Sequence, residues 1–198
     1  VNIWEAIEIA NLHPRIKILN PGPGVGGHCI SVDPWFFVEA APDLTQLIRA
    51  ARLVNDKQPK FIVELVKRVL GTLKNKKIAV LGLAYKPDVD DLRESPAIEI
   101  VRLLEEVGAV VHAYEPFNLD GHQDVKMLPS LELTLENSNL ILILVAHSQF
   151  KELNPEIIAR ISNSRTIIDT VNVVTAIDEW KTTGFSIYQL GNGNQWMN

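Results

Sequence analysis

The chain has 198 residues, of which 46% are hydrophobic and 22% charged, and a formal net charge of −5. That length supports one or two domains with a real core, and the mild acidity argues against nucleic acid or an anionic membrane surface as a partner. The single cysteine, Cys29, excludes an internal disulfide and suits a reducing, cytoplasmic setting, and the longest apolar run, Leu140 to Ala146, is too short to span a bilayer.

Ile3, Trp4, Ile7 and Leu12 follow helical spacing, so Val1 to Leu12 reads as a helix, met without an N-cap before it. That start is expected of a chain with more protein ahead of it; a processed whole protein is the alternative. His13 to Ala41 reads as a long, mostly irregular stretch, and such loops in compact proteins are usually functional. From Asp43 a helix is predicted with Leu44, Leu47, Ile48, Ala51 and Val54 on one stripe. Pro59 should break it briefly, a second helix continues through Ile62, Leu65, Val66, Val69 and Leu70, and Gly71 helps stop it. This pair is too apolar to stand alone: it packs under its own domain or forms a subunit interface.

After Asn75 the rhythm changes. Lys77 to Leu83 reads as a short buried strand. Ser95 caps a helix with Pro96 at its first position, running to about Val107; Gly108 ends it, and Val110 to Tyr114 is the next strand. Helices near Leu131–Glu136, Pro155–Ile161 (capped by Asn154) and Ala176–Thr182 then alternate with strands at Leu140–Val145, Thr166–Asp169 and Phe185–Leu190. This alternation predicts an α/β fold: a helical region over residues 1–74, then a doubly wound, Rossmann-like parallel sheet over residues 75–198. Ligands of such sheets lie beyond the carboxyl ends of the strands.

Two stretches carry the candidate chemistry. The first is Asn20 to Phe37, NPGPGVGGHCISVDPWFF. Its prolines and glycines exclude a helix around Pro21–Gly27 and leave amide N–H groups uncovered for an anion or a developing oxyanion. Cys29 ends that loop as a candidate nucleophile, although a lone cysteine is more often a small buried apolar residue. His28 beside it and Asp33 four residues on tilt the balance towards covalent chemistry on a carbonyl. No metal site is expected, because His13, His112, His122 and His147 are scattered. The second stretch follows the first strand, Gly82-Leu-Ala-Tyr85-Lys86-Pro87. It is not the glycine-rich strand-to-helix turn of a dinucleotide site. Up to Ser95 it carries Lys86, Asp88, Asp90, Asp91, Arg93 and Glu94. Lys86 and Arg93 could clasp a phosphate or a sugar hydroxyl, or the charges form a solvated loop with internal ion pairs; both readings stay open.

GPGVGGHCISVDPWF, then Val54-Asn55-Asp56, then GLAYKPDVDDLRESPA resemble the nucleotide-sugar 6-dehydrogenases, the UDP-glucose and GDP-mannose dehydrogenase family. Within it, His28 and Asp33-Pro34-Trp35 resemble the branch acting on UDP-N-acetylhexosamines, nearest its N-acetyl-D-mannosamine members; N-acetylglucosamine is the alternative sugar. The family has an N-terminal NAD domain, a central helical region that forms the dimer, and a C-terminal domain that binds the UDP end. Only the last two are resembled here. The resemblance therefore implies the C-terminal half of such an enzyme, inactive alone, with NAD held mainly by the missing half and a homodimer formed through residues 43–73. It implies that Cys29 captures the aldehyde between two hydride transfers and forms a thioester. Asp33 would then position or activate the hydrolytic water. The amides of Gly24, Gly26 and Gly27 would hold the substrate, Tyr85, Lys86 and Arg93 would contact the UDP-sugar, and Arg15 would reach the substrate of the neighbouring subunit. Two places depart from the family pattern: Ser31-Val32-Asp33, where UDP-glucose enzymes often have Pro-Lys-Asp, and Asp169-Thr170-Val171-Asn172, where Asp-Gly-Arg is common. The competing readings are a nucleotide-sugar-binding and dimerisation module without activity and, more weakly, a cysteine hydrolase.

Overall fold

A computed structural model describes residues 1–118 and 121–193. Helix α1 (Ile3–Ala10) does have an N-cap: the Asn2 side chain accepts the Trp4 N–H at 3.0 Å. A short amide in extended backbone suits that position, and the sequence reading overlooked it. The chain then runs without regular structure to a turn at Cys29, whose carbonyl accepts the N–H groups of Val32 and Asp33 at 3.0 and 2.8 Å. That turn launches α2 (Asp33–Ala40) inside the stretch expected to be irregular. Pro34 is compatible with a helix there because it falls in the first turn, where an N–H has no intrahelical partner.

Helices α3 (Gln46–Asp56) and α4 (Gln58–Leu70) meet at Lys57, with Pro59 in the first turn of α4. Gly71 ends α4 at φ 73°, a backbone region open to glycine. The α/β region follows as β1 (Lys77–Leu81), α5 (Pro96–Glu106), β2 (Val110–Tyr114), α6 (Leu131–Leu135), β3 (Leu140–Ile143), α7 (Ser148–Lys151), α8 (Pro155–Ile161), β4 (Thr166–Asp169), α9 (Ile177–Thr182) and β5 (Ser186–Gln189). Ser95 and Asn154 cap α5 and α8 as predicted, each side chain accepting a first-turn N–H. Only α7 is absent from the sequence reading of this region; one turn is too short to show a period.

All strand pairings are parallel, in the order β2-β1-β3-β4-β5. This is the doubly wound arrangement, and the winding reverses between β1 and β3. Side chains alternate across the sheet. Ile78, Val80, Leu140 and Leu142 pack on one face with Ile100 and Leu104 of α5 and Ile62, Leu65 and Val66 of α4. Ala79, Leu81, Ile141 and Ile143 pack on the other with Phe150, Ile158 and Trp180. Each fully buried large side chain contributes roughly 1.5–3 kcal/mol.

The two apolar helices thus part company. The α4 stripe is covered by the sheet, whereas α3 leaves Leu47 83% and Val54 68% exposed.

Candidate functional site

The loop after β1 closes the space above the point where the winding reverses. Gly82 allows this, because a Cβ there would lie 2.5 Å from the Val145 Cβ. Beyond it, Tyr85 and Lys86 and the β3 end around Val145 line a crevice of about 500 Å3, whose other wall is Asn20–Val25 with Asn55 of α3. Lys86 makes no ion pair among the described residues; its ammonium lies 5.4 Å from the centre of the Tyr85 ring. A free cation beside an aromatic face at the switch point is a fit for a base and a phosphate.

A second cavity of about 840 Å3 adjoins the first, and Val25, Asn55, Ser95 and Pro96 line both. Arg93 lines this second space. Its guanidinium is held by Asp91, with Nη2 to Oδ2 at 2.6 Å and Nε to Oδ1 at 2.9 Å. Hydrogen bonding from the Arg93 side chain pulls the Asp91 carboxyl down to about 2. The same pair raises the Arg93 value, with smaller contributions from nearby Tyr85 and Cys29. Lys86 and Arg93 therefore face different cavities, and Arg93 follows the internal-ion-pair alternative.

The glycine loop is pressed against the loop that forms both cavities. A Cβ on Gly26 would sit 2.3 Å from the Glu94 carbonyl oxygen, and one on Gly27 2.8 Å from the Tyr85 ring. The Gly27 N–H donates to the Arg93 carbonyl at 3.2 Å. That amide is thus engaged, not open to substrate as expected from the sequence. Gly24, at φ 136°, lines the crevice. Asn55 fastens Val25 from the other side, accepting its N–H at 2.8 Å. Arg52, only 8% exposed, binds the Ile30 carbonyl at 3.2 Å and Asp56 at 2.7 Å. The Val54-Asn55-Asp56 motif and Arg52 thereby hold the cysteine loop from below, roles the sequence reading did not assign.

Cys29 is an exposed free thiol on the resulting turn. His28 touches Arg93, Nδ1 to Nη2 at 3.4 Å. Asp33 is exposed in the first turn of α2, and neither it nor Cys29 lines either cavity. Arg15 is exposed and lines neither cavity, its N–H on the His13 ring at 3.3 Å. The structure therefore gathers Gly24, Tyr85 and Lys86 in one crevice, places Arg93 in the adjoining cavity, and leaves Cys29, Asp33 and Arg15 outside the lining of both.

A buried acid–base pair supports the crevice from behind. Glu115, directly after β2, and His147, after β3, are 1% and 0% exposed. His147 Nε2 and Glu115 Oε2 are 3.0 Å apart. The same oxygen accepts the N–H groups of Leu83 and Ala84 at 2.7 and 2.9 Å, and Oε1 accepts that of Phe117 at 3.0 Å. Burial alone would raise the Glu115 value, but hydrogen bonds from His147 and the Leu83 and Phe117 amides outweigh it and hold the carboxyl below its ordinary range. The available signal was position: an acid just past the second strand of such a sheet.

The same pair bears on a dinucleotide. In a Rossmann turn the first amides after β1 would face a pyrophosphate. Here the amides of Leu83 and Ala84 already hold a carboxylate, and Gly82 is filled by Val145. NAD does not fit this turn. Among the described residues no three His, Cys, Asp or Glu side chains converge to hold a metal ion.

Comparison with known proteins agrees with this architecture. Residues 79–176 match the UDP binding domain, and residues 1–57 the central domain, of the UDP-glucose/GDP-mannose dehydrogenase family. The chain is 43% identical over 196 residues to UDP-N-acetyl-D-mannosamine dehydrogenase of Methanocaldococcus jannaschii, covering 98% of this chain and 44% of that protein. It is 44% identical over 181 residues to NDP-N-acetyl-D-galactosaminuronic acid dehydrogenase of Ralstonia nicotianae, covering 86% and 40%. The solved UDP-D-ManNAc dehydrogenase of Pyrococcus horikoshii superposes with a TM-score of 0.82 at 36% identity, over 98% of this chain and 45% of that one. The chain thus spans less than half the length of these relatives.

Proposed function

The chain belongs to the UDP-glucose/GDP-mannose dehydrogenase family, and on that premise we propose that it supplies the cysteine and the nucleotide-sugar crevice of an NAD-dependent UDP-N-acetylhexosamine 6-dehydrogenase. The observation that carries this is the contact between the two stretches. The exposed Cys29 thiol sits on a turn whose shape is imposed by the crevice loop, through Gly26 against Glu94 and Gly27 against Tyr85 and Arg93. A binding module without activity would need no thiol held there. UDP-N-acetyl-D-mannosamine is the favoured substrate, in line with the proteins it is similar to at 43% and 36% identity.

In this reading Tyr85 and Lys86 take the UDP end, and the sugar C6 reaches out of the crevice towards Cys29. The β1 turn, with its amides on Glu115, would not be what holds NAD, which would supply the hydride acceptor for both oxidations. Between them the Cys29 thiolate adds to the aldehyde carbon, and the oxygen becomes the hydroxyl of a thiohemiacetal. Oxidation of that adduct leaves a thioester. Water, positioned by Asp33, adds to its carbonyl; the C–S bond breaks, releasing the uronic acid and the thiol. Arg15 serves the site of a second subunit, which docks on the exposed face of α3, and the enzyme works in the cytoplasm.

The test uses Cys29→Ser and Cys29→Ala in a protein of the relatives' full length, incubated with NAD and UDP-N-acetyl-D-mannosamine. Cys29→Ser should retain the first oxidation and lose most of the uronic acid, with an ester or hemiacetal adduct visible by mass spectrometry. Cys29→Ala should show no adduct. Near-normal uronic acid from Cys29→Ala would overturn the mechanism. The 198 residues alone should produce no NADH from the same mixture, since the turn after β1 has its amides on Glu115 and its glycine packed against Val145.

A further inference from the structure

The crevice loop turns back on itself at Asp88, a non-glycine residue at φ 58°. Such a conformation persists only where its surroundings hold it. Three bonds do so. The Asp88 carboxylate accepts the Ser148 N–H at 2.8 Å and the Ser148 hydroxyl at 2.7 Å. The Asp88 N–H donates to His147 Nδ1 at 2.9 Å. That last bond settles the state of the buried ring. A backbone N–H can only donate, so Nδ1 carries the lone pair. The ring proton is on Nε2, aimed at Glu115 Oε2.

The loop is thereby tied at two places to one acid–base pair. Leu83 and Ala84 hang on Glu115, Asp88 hangs on His147, and the two side chains hold each other. Tyr85, Lys86 and Pro87 form the arch between these anchors, and all three line the crevice. Glu115 and His147 do not line it. Phe117 and Phe150 pack against the His147 ring, with centroids at 5.0 and 5.4 Å, so the ring cannot swing away.

We propose that Glu115 and His147 are positioning residues that hold the Tyr85–Pro87 arch, and with it the Lys86 ammonium, over the nucleotide crevice. The consequence for UDP affinity rests on the reading of the crevice given above; the anchoring itself does not. Neither residue touches the ligand. They act by leaving the arch one conformation in which to meet it.

Two variants separate the two ends of the pair. In His147→Asn the amide oxygen replaces Nδ1, keeping an acceptor for the Asp88 N–H and losing the donor to Glu115. In His147→Gln the amide nitrogen replaces Nε2, keeping the donor to Glu115 and losing the acceptor for Asp88. Amide exchange followed by NMR and calorimetric titration with UDP are read on each, beside thermal unfolding. His147→Gln should free the Asp88 amide to exchange faster while Leu83 and Ala84 stay protected. Its UDP Kd should rise about tenfold, the equivalent of one lost hydrogen bond. His147→Asn should keep Asp88 protected and UDP affinity near that of the unmodified chain, even though it unfolds at a lower temperature. Equal Asp88 exchange in the two variants, or UDP affinity that simply follows thermal stability, would overturn the proposal. If the unmodified chain binds no UDP while the exchange pattern appears as expected, the anchoring stands and the nucleotide assignment of the crevice falls.

Discussion

Gly26→Ala tests the joint between the cysteine turn and the crevice loop. Gly26 is not in a left-handed conformation, so alanine meets no backbone strain there. The obstacle is space. An added Cβ would lie 2.3 Å from the Glu94 carbonyl oxygen and 2.8 Å from the Pro96 ring, where ordinary contact begins near 3.4 Å. The shortfall is ~1 Å against a carbonyl and a proline, neither of which can rotate aside. The segments must part, straining the neighbouring Gly27–Arg93 hydrogen bond. The expected loss is roughly 1–3 kcal/mol for overpacking, with about 1 kcal/mol more if the hydrogen bond is lost. Gly22→Ala is the control: its nearest non-neighbour atom would be Val171 Cγ1 at 3.9 Å, and no positive φ is required. That variant should be neutral or gain up to about 1 kcal/mol from a stiffer unfolded chain. Urea unfolding measures both, and the rate of Cys29 labelling by a disulfide reagent reports the turn. Equal midpoints for the two variants, with unchanged Cys29 labelling, would refute the claim that close approach at Gly26 shapes the turn.

Lys86→Ala should weaken UDP binding by about 1–3 kcal/mol in calorimetry, the range for a hydrogen bond to a charged group, and by more than Arg93→Ala does; a larger effect at Arg93 would reverse the assignment of the two cavities. The Asp91 carboxyl should titrate near 2 by NMR and return towards its ordinary range in Arg93→Met. Because the folded value is depressed, the pair's contribution is present above the ordinary carboxylate value and lost as pH falls through about 2; a stability loss on raising pH through neutrality would contradict it. Replacing Leu47 and Val54 with glutamate should convert a dimer to monomers by light scattering without unfolding the sheet, since both are exposed on α3; a monomeric unmodified chain would remove that interface.

The parallel sheet was legible because its strands are continuous apolar runs and its helices carry Ser95 and Asn154 as caps and Gly71 and Gly108 as stops. The cysteine loop was legible in composition but not in geometry. Glycines there suggested open amides, whereas Gly26 and Gly27 serve close approach to another loop, a fact that depends on residues far along the chain. Lys86 and Arg93 stand close in sequence and read as one clasp. Asp91, two residues from Arg93, decides otherwise, and which of two nearby charges pairs internally has no periodic signature. The α3 and α4 stripes looked alike because amphipathicity tells that a face is covered, not by what. Glu115 was marked only by its position past the second strand, and nothing in the sequence pairs it with His147: apart from its partner, a buried ionisable residue reads much like a surface one.

The turn at Cys29 is closed by local hydrogen bonds to Val32 and Asp33, but the contacts that fix its place against the rest of the molecule are long in sequence. Val25 meets Asn55 thirty residues on, and His28 meets Arg93 sixty-five residues on. During synthesis the thiol therefore emerges well before the segments that mould its surroundings, and closing those loops carries an entropic cost that only the finished β1–α5 unit can offset. The turn should be among the last parts to order on refolding. A destabilising change in the sheet core, remote from the thiol, would then surface first as a slow or incomplete recovery of Cys29's native accessibility.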